Sequence, residues 1–373
     1  MRKLLLLLSL LVLVLSGCDL LGSDEERESR LVTTGVIVGN GGNFSDQNGS
    51  LTFYDPVTDQ TTTLALNAFV QSLALHQGRA YVTLNTFSVG QIAIVDVASR
   101  QLTGRIQNVP IPRYIAFAND QKAYVTNMAF GREGFVLAFN PATQTLLPDT
   151  IAVGFYPEGI VAHKGRIYVA NYGSLGAGRT VSVIDMATNA IVQTLEPGCD
   201  GPQAVFIDAE EELVVVCLGK TVYNADYSAV IERTNGQIVF VNPTTGAVNA
   251  RLTLEVQLGS ANGTQTAYYA PEAEELYAIS SGSGRIFRVN TDANALAGTI
   301  TVPAASDLVG LSAVAYDAAQ QRLYVARLAA GANGRPDYRA AGAVVILNRE
   351  GRQIGRFSVG PAPSHIELVQ ERR

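Results

Sequence analysis

The residues with chemistry to offer are few and scattered. Three cysteines (Cys18, Cys199, Cys217) and three histidines (His76, His163, His365) occur in 373 residues. The histidines do not fall at metal-ligand spacing. The cysteine pair lacks the C-x-x-C spacing of a redox or zinc site. No C-x-x-C-H, no glycine loop leading from a strand into a helix and no G-x-S-x-G is present, and the acidic residues form no local carboxylate pair. The loop Asn40–Asn48 is rich in oxygen ligands, yet it lacks the regular spacing of a calcium loop. Neither a metal nor a cofactor is therefore assigned. What remains is positional. Polar residues recur at one point of a repeat, namely Gln71, Arg113, Glu158, Gln203, Gln265, Ser312 and Ser364. Aromatic residues recur at another: Phe44, Phe87, Phe130, Tyr172, Tyr223, Tyr227 and Tyr338.

The repeat that places them is a strand motif. Ala123-Tyr124-Val125-Thr126-Asn127 returns as Arg166-Ile167-Tyr168-Val169-Ala170-Asn171, as Ala80-Tyr81-Val82-Thr83-Leu84-Asn85 and as Leu323-Tyr324-Val325-Ala326. Alternating aromatic and β-branched residues with a polar stop read as a short strand. A return about every 40–50 residues, with several strands in each period, is the signature of propeller blades. Each unit carries an inner strand a, strand b with the motif, a variable b–c loop, strand c, an Asp/Asn turn and an outer strand d. Asn140-Pro141-Ala142-Thr143 and Asn242-Pro243-Thr244-Thr245 are such turns. Full units run over 69–108, 109–154, 155–200, 201–256, 259–304 and 309–360. Residues 33–66 supply strands b, c and d without an a, and Pro363–Val369 supplies an a with nothing after it. Joined, these two fragments complete a seventh blade and bury edges that an open sheet must otherwise protect. The expectation is an all-β, seven-bladed β-propeller of four-stranded blades over 33–369, its ring closed by the N- and C-terminal strands in one blade.

On this frame the polar set starts each strand a, at the channel mouth, where side chains could hydrogen-bond a ligand or simply line a watery channel. The aromatic set sits in the b–c loops, as a stacking surface or partner patch or as local clamps over blade edges. The longest loops are Gly219–Gly236 and Arg327–Gly342. Cys199 precedes strand a of the fifth blade and Cys217 ends its strand b, which brings both to one face and predicts a disulfide.

The N-terminus is an address. Arg2 and Lys3 precede an apolar stretch, Leu4–Leu15, too short for a spanning helix of roughly 20 residues. Residues 1–17 read as a signal peptide, and Leu15-Ser16-Gly17-Cys18 resembles the bacterial lipobox, which implies lipidation of Cys18. Residues 18–32, with Asp24, Glu25 and Glu26, read as a solvated tether. Losing Arg2 and Lys3 takes the formal charge from −6 to −8, a poor balance for nucleic acid.

The string Tyr124-Val125-Thr126-Asn127 and its copies resemble the YVTN-repeat β-propellers, over essentially all of 33–369. That resemblance implies the propeller fold. With the lipobox and acidic tether it extends to surface lipoproteins of Bacteroidota, some of which capture corrinoids for a transporter. The expectation is a lipid-anchored envelope protein, on the outer membrane or cell surface, that binds a small ligand on its loop face and passes it to an outer-membrane transporter. Two alternatives stand beside it. One is a lactonase-like or cofactor-dependent enzyme, with Glu158 or His365 as base and Arg113 as oxyanion partner. The other is a scaffold or adhesion module using the two long loops.

Overall fold

The computed structural model describes residues 30–373; the signal segment, Cys18 and most of the tether lie outside the described residues. Seven antiparallel four-stranded sheets follow one another, each hydrogen-bonded in the order a-b-c-d. Blade 1 joins Pro363–Arg372 as strand a to Leu31–Asn40, Ser50–Asp55 and Gln60–Ala65. Val36 pairs with Leu368 on one side and Tyr54 on the other, so the two chain ends close the ring as expected. Strands a and b of blades 2 to 7 are Phe69–His76 with Arg79–Asn85, Pro112–Asn119 with Lys122–Asn127, and Pro157–His163 with Arg166–Asn171. They continue as Pro202–Ile207 with Leu213–Cys217, Ala267–Ala270 with Glu275–Ser280, and Leu308–Asp317 with Arg322–Ala330. Among the described residues no helix is long and apolar enough to cross a membrane.

The period of two in the motif explains the packing. Successive side chains of a strand point to opposite faces. Tyr124 packs with Ile160, Ile167, Val169 and Ile184 of blade 4. Its neighbour Val125 packs with Tyr81, Ile92 and Ile94 of blade 2. The same division holds for Tyr168 and Val169. Each fully buried aliphatic of this kind contributes roughly 1.5–3 kcal/mol.

Most polar atoms of the motif also have a partner in or beyond their own blade, Asn127 Oδ1 and Tyr324 Oη being buried without one. The Tyr hydroxyl reaches the c–d turn of the next blade: Tyr124 donates to Asn189 Oδ1 at 2.8 Å and Tyr168 to the Pro243 carbonyl at 3.2 Å. Thr126 Oγ1 accepts from the Tyr114 amide at 3.0 Å and donates to the Glu158 carbonyl at 2.8 Å. Thr83 does the same for Ser72 and Arg113. These contacts steady the irregular starts of strand a, where the pairing register shifts between Val70 and Ser72 and between Pro112 and Ile115. Asn171 Nδ2 donates to Thr180 and Ser182 of strand c. At the other end, Asp and Asn at the c–d turns accept backbone amides, as Asp185 does from Ala187 and Thr188. Those amides hold the carboxyls of Asp55, Asp96 and Asp185 below the usual carboxylate range. Left-handed residues such as Asp59, Arg100 and Asn189 then turn the chain into strand d.

Cys199 and Cys217 form the predicted disulfide, with Cα atoms 6.1 Å apart and both residues buried.

Candidate functional site

Strand a of every blade starts at the face of the b–c loops and runs toward the a–b hairpins. One connection breaks the regular pattern. The segment 254–266, between blades 5 and 6, delays its strand a to Ala267 and is diverted across the channel. The Leu258 amide bonds the Leu218 carbonyl of blade 5, and the Ala261 amide bonds the Leu311 carbonyl of blade 7. Asn262 Nδ2 then reaches the Pro363 carbonyl of blade 1 at 2.8 Å, and Thr264 Oγ1 the Ser364 carbonyl at 2.6 Å. Gln265 completes the strap by pairing both its amide atoms with the Ile366 backbone, at 3.0 and 3.2 Å.

Among the expected rim residues, the strap contains Gln265 and bonds Gln203 and Ser364. Gln71, Glu158, Gln203, Gln265, Ser312 and Ser364 are all buried, at 5% exposure or less. Beneath the loop face Glu158, Gln203, Gln265 and Ser364 bond across blades, Gln71 Nε2 and Ser312 Oγ are buried without a partner, and these residues do not line an open mouth there. Ser364 Oγ donates to the Gly39 carbonyl at 3.1 Å. Gln203 Nε2 donates to Tyr114 Oη and the Thr264 carbonyl, both at 3.0 Å, while Thr266 donates to Gln203 Oε1. Arg113 and Glu158, on adjacent blades, form a two-bond ion pair at 2.9 and 2.7 Å. Burial alone would lower the Arg113 guanidinium, but the Glu158 charge more than reverses this and raises it. Burial pushes the Glu158 carboxyl up, with the guanidinium acting against it. Both groups are spent on each other, which leaves Glu158 poorly placed to serve as a base and Arg113 as an oxyanion donor.

Below this layer is a cavity of about 300 Å³, in the channel itself. Its walls come from strands a of six blades and the end of the strap: Leu73 and Ala74, Tyr114 and Ile115, Gly159 and Ile160, Gln203–Phe206, Gln265–Tyr269, and His365 with Glu367. Gly159 is needed for a close approach, since a Cβ there would stand 2.7 Å from the Gln203 carbonyl oxygen and 2.8 Å from Ala204 Cα. Of the residues singled out from sequence, Gln203, Gln265 and His365 meet here. Tyr114, Phe206, Tyr268, Tyr269 and Glu367 were missed. Their signal was present, because each lies one to four residues along strand a from a named rim position, and the rim alone was read.

His365 is the most informative wall residue. It is 6% exposed, and its Nε2 lies 3.0 Å from Glu367 Oε1. Its Nδ1 is buried with no partner. Burial raises the Tyr114 phenol, reinforced by the Glu158 charge, and likewise the Tyr268 phenol, reinforced by Glu367. Both phenols stay protonated.

The aromatic loop residues gather in separate places on the loop face. Phe44 meets Phe87 edge-on at 5.3 Å and Phe69 at 6.2 Å, over blades 1 and 2. Tyr223 and Tyr227, 6.0 Å apart, ride on a hairpin arm made by Thr221–Tyr223 and Val230–Arg233. Phe130 stands exposed, Tyr172 is half-buried beside Gly201, and the Tyr338 hydroxyl reaches the Ala261 carbonyl of the strap at 3.4 Å. In the oxygen-rich loop, the side-chain oxygens of Asn43 and Asn48 accept backbone amides of that same loop. On the hairpin face the carboxylates of Glu210, Glu274 and Asp292 come within 4.8 Å of one another.

No protein-family model matches the chain, and no curated protein sequence matches it. Solved structures share its fold. Hydrazine synthase of Kuenenia stuttgartiensis is 17% identical over 80% of this chain and 89% of that one, with a TM-score of 0.60. A functionally unknown protein from Desulfotomaculum acetoxidans is 11% identical over 90% and 99%, with a TM-score of 0.65. Apo AztD from Citrobacter koseri is 10% identical over 91% and 99%, with a TM-score of 0.54. At such identities the likeness is one of architecture, on which unrelated functions are carried.

Proposed function

We propose that this chain is a small-molecule binding protein of the bacterial cell envelope, tethered through Cys18, that takes its ligand into the central channel. One observation carries the reading: a cavity of about 300 Å³ is walled by residues of six blades, with the hydrogen-bonded His365 and Glu367 and tyrosines of two blades in its lining. Concave sites with apolar walls and a few convergent polar groups are the usual form of small-molecule pockets.

The tether fits this reading. Leu31 opens strand b of blade 1 opposite Arg372, so the chain emerges at the a–b hairpin face. A lipid at Cys18 would hold that face toward the membrane and present the loop face outward to a transporter partner. The test is a thermal-shift screen of a small-molecule library against the intact chain and an Ala74→Phe variant, whose larger side chain fills the channel. Ligands that stabilise the first and not the second support the reading. Ligands that act equally on both refute it.

A second reading lays a flat cofactor, such as a corrinoid, on the loop face, and the exposed Phe44–Phe87 pair favours it. Stabilisation by cobalamin that Phe44→Ala and Phe87→Ala abolish, and that Ala74→Phe leaves intact, would move the site there. For the anchor, metabolic palmitate should label the expressed protein, and Cys18→Ser should remove the label.

A further inference from the structure

The walls of the channel specify a charge as well as a shape. This inference rests on the channel reading and deepens it. Among the residues that line the cavity there is no lysine and no arginine, and Glu367 is the one carboxylate. The nearby guanidinium of Arg113 is neutralised by its two bonds to Glu158. Four aromatic side chains, Tyr114, Phe206, Tyr268 and Tyr269, contribute to the same walls. Aromatic faces carry negative charge density and attract cations, most strongly where water is excluded.

We propose that the channel ligand is an organic ammonium ion, its N–H groups directed to the Glu367 carboxylate and its carbon frame held against the aromatic walls. An anion would meet Glu367 with no lysine or arginine in the lining to compensate. A neutral alcohol would gain no charge attraction from the carboxylate or the rings. Glu367 is the one carboxylate of the lining, and so the group that carries the discrimination.

The experiment uses three probes of matched frame, 2-phenylethylammonium, 2-phenylethanol and phenylacetate, titrated calorimetrically into the intact chain at neutral pH. The ammonium should bind at least about tenfold more tightly than the alcohol, and phenylacetate should give no heat. Glu367→Gln keeps a hydrogen-bond acceptor for His365, so the fold and the imidazole orientation persist. It should weaken the ammonium by about tenfold and leave the alcohol unchanged. Equal binding of alcohol and ammonium, with both lost in Ala74→Phe, would overturn the charge preference while the channel reading survived. Tighter binding of phenylacetate would overturn it in the same way. Absence of heat from all three would count against both.

Discussion

Replacing Glu158 by Gln tests whether the layer under the loop face is as closed as the strap makes it. The side chains of Arg113 and Glu158 are 13% and 6% exposed, and the pair joins blades 3 and 4 through two short bonds. Removing one charge leaves the other buried and uncompensated, which costs about 3–5 kcal/mol. In a domain of this length ~1 kcal/mol corresponds to ~2 °C in Tm, so Glu158→Gln should melt roughly 6–10 °C below the parent. Arg113→Met should cost a similar amount. The double variant Arg113→Met/Glu158→Gln should recover much of the loss, because it removes the uncompensated guanidinium and leaves a neutral amide. A double-mutant cycle by urea denaturation gives the coupling directly. Single variants that melt within about 1 °C of the parent, or losses that simply add, would refute the buried-pair argument and reopen the rim as a solvent-facing site.

Other expectations concern the same framework. Tyr124→Phe removes an inter-blade hydrogen bond without changing packing and should cost about 0.5–1.5 kcal/mol in urea unfolding, with Tyr168→Phe similar. The disulfide closes a loop of 18 residues, so replacing Cys199 and Cys217 by Ala should lower stability by about 3 kcal/mol, measured against the oxidised parent. Asp208 is buried, and burial together with the Glu212 and Glu210 charges raises its carboxyl from 3.8 to about 6. A group raised in the folded state stabilises fully below its unfolded value and loses that contribution as pH rises through about 6. Asp208→Asn should therefore be more stable than the parent in mildly alkaline solution, with the gap closing as pH falls toward 3.8; a gap independent of pH would refute it.

How much of this was legible in the chain depends on the range of the interaction. Strand order, blade count, ring closure and the Cys199–Cys217 pairing all follow from local patterns repeated in phase. Tyr124 and Val125 alternate because each must enter a different inter-blade core, and that demand is written wherever the motif recurs. The turn residues Asp55, Asp96, Asn140 and Asp185 are legible for the same reason, since each side chain bonds its own backbone within three residues.

The site is another matter. Aligning the repeats placed Gln71, Arg113, Glu158 and Ser364 at one level of the channel, and that level is real. Part of what covers it is the strap 254–266, whose bonds reach blade 1 about 100 residues away in sequence and belong to no repeat. The opening residues of strand a were read as a channel mouth because the alignment supplies height along the strand and nothing about what lies across it. Sequence by itself determined the blades and their number. Only the tertiary structure decided which end of the channel is stopped, and so brought His365, Glu367 and the tyrosines of two blades to one cavity. A repeat encodes its neighbours, whereas the channel is where non-neighbours meet.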